Sequence, residues 1–174
     1  MSRDPKAQMR RFLVLFPVCL LLGFAVLQIH PIAAGIDRFT RSLVTLSGGL
    51  IHLCGGHATV TGPVLQSPLG FAVRVENGCN AVNVTILLWA AILTYPAPWL
   101  RKFQGLVAGS LALHAVNLLR IISLFYLGQY NETWFQFAHL YLWESLIVLD
   151  TLVIFWLWAV FVRKARVQAH VPAT

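Results

Sequence analysis

Apolar residues in this chain gather into long runs separated by short polar punctuation. Residues 12–29, 81–95, 103–127 and 137–162 are close to continuous hydrophobic stretches, most of them near the roughly 20 residues that cross a bilayer core. Each predicts a membrane helix, the second ended by Pro96 and Pro98. Residues 36–53 differ: Asp37, Arg38 and Arg41 precede leucines and an isoleucine at helix-like intervals, interrupted by Gly48-Gly49. That pattern predicts an amphipathic helix lying in the interface, with a fifth span as the alternative. After Gly55-Gly56 the period shortens. Thr59-Val60-Thr61 and Phe71-Ala72-Val73-Arg74-Val75, parted by Gly62-Pro63 and Ser67-Pro68, predict a short β-hairpin. The expected fold is an all-α polytopic membrane protein with about four transmembrane helices, an interfacial helix and a small hairpin. It forms a single domain over residues 1–174, with its core at 75–162.

Composition strengthens this reading. The 174 residues are 58% hydrophobic and only 11% charged, too little polar surface for a soluble domain of this length. The net charge of +7 therefore bears on orientation and lipid contact, and no basic stretch is interleaved with aromatics as a nucleic-acid groove requires. Arg3, Lys6, Arg10 and Arg11 precede the first run, Arg101 and Lys102 follow the second, and Arg163, Lys164 and Arg166 follow the fourth. With four spans, these nine of the 13 Lys and Arg fall on one side. The positive-inside rule then puts both chain ends in the cytoplasm and the hairpin in the periplasm. The head resembles a signal peptide, but its apolar run is long and no small-residue cleavage site follows, so an uncleaved first helix is expected.

Three cysteines (Cys19, Cys54 and Cys79) form no CxxC pair, and six histidines include no HExxH. His52 and His57 match no ligand spacing, so neither a metal nor another cofactor is expected. Chemistry is better sought at the outer ends of the spans. Cys79 lies in "VENGCNAVN", where Asn77-Gly78 signals a turn and Asn80 stands where a helix start takes a capping side chain. His114, Asn117 and Arg120 step by three along the third span and so stay near one face. Arg120 lies about 10 Å below the outer end at 1.5 Å per residue. His139 opens the fourth span, with Glu144 below it. A thiol, a guanidinium and an imidazole thus meet at one level.

Each of these residues also has a plain structural reading. An arginine in a membrane helix costs several kcal/mol and needs a partner, and Glu144 at matching depth can supply one. Cys79 can be an inert thiol, or can pair with Cys54. The deeper His114 and Asp150 are expected to satisfy each other or another polar group. Together, however, the three outer groups have the parts of a thiol acyl-transferase. The helix dipole and a nearby cation favour thiolate at Cys79, His139 moves protons, and Arg120 holds an oxyanion.

"ENGCNAV" around Cys79, "NLLRIISLFYLGQ" around Arg120 and "AHLYLWE" around His139, in that order on successive helices, resemble the exosortase/archaeosortase family. The likeness covers residues 75–160 and the hairpin before them, and is greatest to the exosortase H branch, whose substrates carry an IPTLxxWG-type C-terminal sorting signal. The resemblance implies a membrane-embedded cysteine transpeptidase or protease of the inner membrane, with Cys79 as nucleophile and Arg120 and His139 completing a triad. Asn80, Asn117 and Glu144 are supporting or substrate-binding candidates. It further implies exported protein substrates bearing a C-terminal motif, a transmembrane helix and a basic tail, and an acceptor nucleophile that the sequence does not identify. Two other classes compete: a non-catalytic membrane scaffold built on an Arg120–Glu144 pair, and a small transporter subunit whose polar path would include His114 and Asp150.

Overall fold

The computed structural model describes residues 5–168, most of them helical. Helices α1 (Pro5–Leu27) and α2 (His30–Leu53) are followed by three short strands, β1 (Thr59–Thr61), β2 (Val64–Gln66) and β3 (Ala72–Arg74). Helices α3 (Val82–Thr94), α4 (Trp99–Tyr130) and α5 (Glu132–Phe137) come next, then a π-helical turn (Ala138–Leu142) and α6 (Trp143–Gln168). Three segments are long and apolar enough to cross a membrane: Met9–Leu27, Trp99–Tyr130 and Glu132–Ala165. By length and composition this is a membrane protein. The fourth expected span is α3, an apolar helix of 13 residues, about 20 Å long at 1.5 Å per residue.

Local chemistry explains where the elements start and stop. Proline in its first turn opens α2, where the missing N–H is no loss. The helix then runs on through Gly48-Gly49 to Leu53, so the glycines are not the interruption expected. A Cβ on Gly48 would stand 2.5 Å from Val60 Cγ2; the missing side chain is what lets β1 settle on the helix. Asn131, with φ −160° and ψ 118°, separates α4 from α5, and its side-chain oxygen accepts a hydrogen bond from Trp134 N at 3.1 Å. One residue therefore ends a 32-residue helix and caps the next.

The expected hairpin is a three-stranded antiparallel meander in the order β1-β2-β3. Thr59 pairs with Gln66 and Thr61 with Val64, and on the other side of β2 Val64 pairs with Arg74 and Gln66 with Ala72. The inward face of this sheet fixes its position. Leu65 is fully buried with Val44 and Ile51 of α2 and with Ile121 and Phe125 of α4, and Val73 and Cys79 pack on the same cluster. Burying a side chain of this size contributes about 2 kcal/mol. Ser67 Oγ also donates to Gln129 Oε1 at 2.6 Å, tying the β2–β3 turn to α4. A second cluster, Leu88, Ile92, Leu113, Trp158, Ala159 and Val162, joins α3, α4 and α6. The sheet and the α3–α4–α6 bundle thus share α4, and Cys79 sits at their junction.

Candidate active site

Arg120 is the anchor. It is 1% exposed, and its Nη2 lies 3.2 Å from Glu144 Oε1 and 3.8 Å from Cys79 Sγ. One nitrogen of α4 therefore meets a carboxylate from α6 and a thiol from the turn before α3. The same guanidinium thus makes both the ion pair and the thiol contact. Its Nε has no hydrogen-bond partner among the described residues. A guanidinium offers five N–H donors, so capacity remains for a further anion.

Cys79 is held in a shaped turn. Its N–H donates to Glu76 O at 2.9 Å, and Gly78 (φ 106°) and Ala81 (φ 59°) on either side adopt left-handed backbone. Asn80, 1% exposed, braces this turn and also takes the first N–H of α3, from one residue ahead of the N-cap position. The N-cap position belongs to Ala81. The Asn80 Oδ1 accepts from Val82 N at 3.1 Å, and its Nδ2 donates to Thr40 Oγ1 at 2.9 Å and Asn77 Oδ1 at 3.3 Å. Asn80 is thus a positioning residue, bracing the cysteine turn against α2.

Burial pushes the Cys79 thiol above its ordinary value. The Arg120 charge pulls it down and Glu144 pushes it up again, with burial the largest of the three. Of the two influences expected to favour thiolate, the Arg120 charge is present and pulls the thiol down. Cys79 precedes the first residue of α3 by three positions, beyond the reach of the first-turn dipole, and Glu144 offsets part of the cation.

His139 lies on the π-helical turn. Trp143 N reaches back five residues to Ala138 O, which inserts one extra residue and rotates the side chains that follow. The imidazole stacks on Phe135, one turn earlier, with ring centroids 5.7 Å apart and planes 18° apart. Its Nδ1 is buried without a hydrogen-bond partner among the described residues. Cys79, Arg120 and His139 line one cavity of about 250 Å³ together with the β3 backbone and Phe135. Neither Phe135 nor the π turn is marked as functional by the sequence. The i, i+4 spacing of Phe135 and His139 was the available signal.

The remaining candidates lie outside this cavity. Asn117 is fully buried one turn further down α4, with both side-chain amide atoms unpartnered among the described residues. His114 turns to Phe39 of α2 (5.0 Å between centroids), and its Nδ1 also has no partner. The expected contact between His114 and Asp150 is not formed. Cys54 is exposed and all three cysteines are free, so the alternative Cys54–Cys79 disulfide is not formed either. His52 shares a 2.8 Å hydrogen bond with Ala58 O, closing the turn into β1. No protein-family model, curated protein or solved structure matches this chain.

Proposed function

We propose that the protein is a cysteine acyl-transferase of the exosortase type, with Cys79 as nucleophile, Arg120 as oxyanion and thiol partner, and His139 as proton carrier. The observation that carries this reading is the cavity shared by these three side chains, with the Arg120 guanidinium in contact with the thiol. His139 takes the thiol proton as Sγ attacks a backbone carbonyl carbon of the substrate. The tetrahedral oxyanion is held by free N–H groups of Arg120. The C–N bond breaks, the leaving amine takes the proton from His139, and an acyl thioester stays on Cys79. An acceptor nucleophile then attacks the thioester carbonyl and gives its proton to His139, and the C–S bond breaks to restore the cysteine. Water in place of the acceptor makes the same sequence a proteolysis.

In this reading α3 crosses the inner membrane with α1, α4 and the α5–α6 segment, and the sheet and cavity face the periplasm. The substrates are exported proteins that end in a sorting motif of the IPTLxxWG type, an apolar helix and a basic tail. The helix holds the motif at the depth of Cys79. Surrounding lipids are the other partner.

The Arg120–Glu144 ion pair favours a second reading, a scaffold in which that pair is purely structural and Cys79 incidental. Three substitutions separate the two. Acyl transfer requires Cys79→Ser, Arg120→Lys and His139→Ala each to insert and fold yet leave a co-expressed exported substrate uncleaved. The defects are non-additive, since losing one member disables the set. A scaffold makes Cys79→Ser silent. Full processing by Cys79→Ser in cells with no second enzyme of this type rejects acyl transfer.

A further inference from the structure

The cavity beside Cys79 has one wall of a different kind from the others: the outer edge of β3. Residues Ala72, Val73, Arg74 and Val75 line it in succession. β3 is the last strand of its sheet and, among the described residues, pairs only with β2. Which backbone groups face the cavity follows from the ladder. Ser67 N donates to Phe71 O at 2.7 Å, and Val75 N donates to Pro63 O at 2.9 Å. Phe71 and Val75 therefore turn their hydrogen-bonding groups to β2, and Val73, opposite Leu65, does the same. Antiparallel pairing alternates residue by residue. The N–H and C=O of Ala72 and Arg74 consequently point to the unpaired edge.

An unpaired edge is a template for another extended chain, and soluble parts of proteins usually blunt or cover such edges. Here residues of that edge line the same cavity as the Cys79 thiol. The cavity is also lined by α5 and the π turn, through Phe135, Gln136 and His139, and by α4 through Arg120, Ile121 and Leu124. Phe71, just before β3, lies against Phe135 of α5 with ring centroids 5.3 Å apart, at one end of the strand. The other end, at Val75, leads into the Glu76–Asn80 turn that carries the cysteine. A cysteine attacking a main-chain carbonyl needs that carbonyl in an extended segment, free of helical hydrogen bonds.

We propose that the β3 edge is the substrate subsite: an extended polypeptide segment adds to it as a fourth strand, through the main-chain groups of Ala72 and Arg74. This mode of recognition reads backbone rather than side chains and gives affinity through ladder hydrogen bonds. It fixes the register of the segment, so that one carbonyl, and not its neighbours, arrives at Cys79 Sγ within reach of Arg120. The inference rests on the acyl-transfer reading for the identity of the occupant, but not for the pairing itself.

Disulfide mapping tests it. The enzyme carries Cys79→Ala, Cys19→Ser and Cys54→Ser to remove its own thiols, plus either Ala72→Cys or Arg74→Cys, both at exposed positions. The probe is an exported reporter ending in an IPTLxxWG-type signal, an apolar helix and a basic tail, with a single cysteine stepped through the signal. Side chains on paired strands meet at every second residue. Cross-linking is expected to be several-fold stronger at alternate reporter positions, with the strongest position moving by two residues between Ala72→Cys and Arg74→Cys. A spacing of three to four residues, uniform cross-linking or none overturns the subsite, whether or not the wild type cleaves the reporter. A disulfide between two enzyme copies that forms equally without reporter also overturns it, by giving the edge to a second copy of this chain. Alternate cross-linking with a reporter that the wild type leaves uncut keeps the subsite and rejects acyl transfer instead.

Discussion

Arg120 Nη2 stands 3.2 Å from Glu144 Oε1, but the two side chains differ sharply in exposure, 1% for the arginine and 55% for the glutamate. A buried cation is thus neutralised from its open side, while the same nitrogen touches the Cys79 thiol. Carboxylate and sulfur compete for one charge. The consequence for reactivity has a definite sign.

Burial and Glu144 raise the thiol and Arg120 lowers it. Glu144→Gln removes an upward influence, so the pH at which Cys79 becomes reactive falls; Arg120→Gln removes the downward one, so that pH rises. In a chain carrying Cys19→Ser and Cys54→Ser, the rate of Cys79 alkylation by iodoacetamide, followed by mass spectrometry against pH, reads both shifts. At neutral pH, Glu144→Gln is expected to react several-fold faster than its parent and Arg120→Gln several-fold slower. Identical profiles in all three chains would separate the guanidinium from the thiol.

Orientation gives the next test. With four spans, the Pro98 loop lies in the cytoplasm and the end of α4 at Gln129 to Asn131 lies outside, because the basic residues Arg101, Lys102, Arg163 and Lys164 cluster on one side. Alkaline phosphatase fused after Pro98 is expected to be inactive, and fused after Gln129 active. Equal signals would mean that the 13-residue α3 does not cross.

Most of the architecture was legible because a bilayer imposes a length on apolar runs, and the runs here are long. Arg120 and Glu144 were legible for the same reason, since a charge in such a run needs a partner at its own depth. What escaped the sequence depended on single hydrogen bonds or on burial. Strand β2 is three residues between Pro63 and Pro68, too short for an alternating pattern to register. The π turn rests on one bond from Trp143 N to Ala138 O, and no residue type marks it. Asn80 does take the first N–H of α3, but Ala81, in the left-handed conformation, occupies the N-cap and sets the helix start one residue later than expected. Asn117 shares a face with Arg120 on three-residue spacing, but the drift of that spacing leaves it sealed below the cavity. The burial that raises the Cys79 thiol is invisible in a list of neighbours along the chain.

The sheet reaches the site through a close approach on α4. A Cβ on Gly128 would overlap the Phe71 ring, and Phe71 in turn rests on Phe135, which stacks on His139. Gly128→Ala therefore has to move an aromatic ring at the start of β3, at a cost of about 1–3 kcal/mol for overpacking. The expected result is a lower unfolding temperature in detergent together with weakened substrate processing. Gly128→Ala with the parent's unfolding temperature would show that the sheet can shift freely over α4.

The most direct test is capture of the acyl-enzyme. Purified membranes containing the protein are incubated with the exported reporter, quenched in acid and digested, and the peptide containing Cys79 is weighed by mass spectrometry. Acyl transfer requires a Cys79 peptide heavier by the acyl fragment of the reporter's sorting signal, released by hydroxylamine at neutral pH, absent from Cys79→Ser and greatly reduced in His139→Ala. A reporter that is cleaved while Cys79 stays unmodified at every quench time, and is cleaved equally by Cys79→Ser, would contradict it.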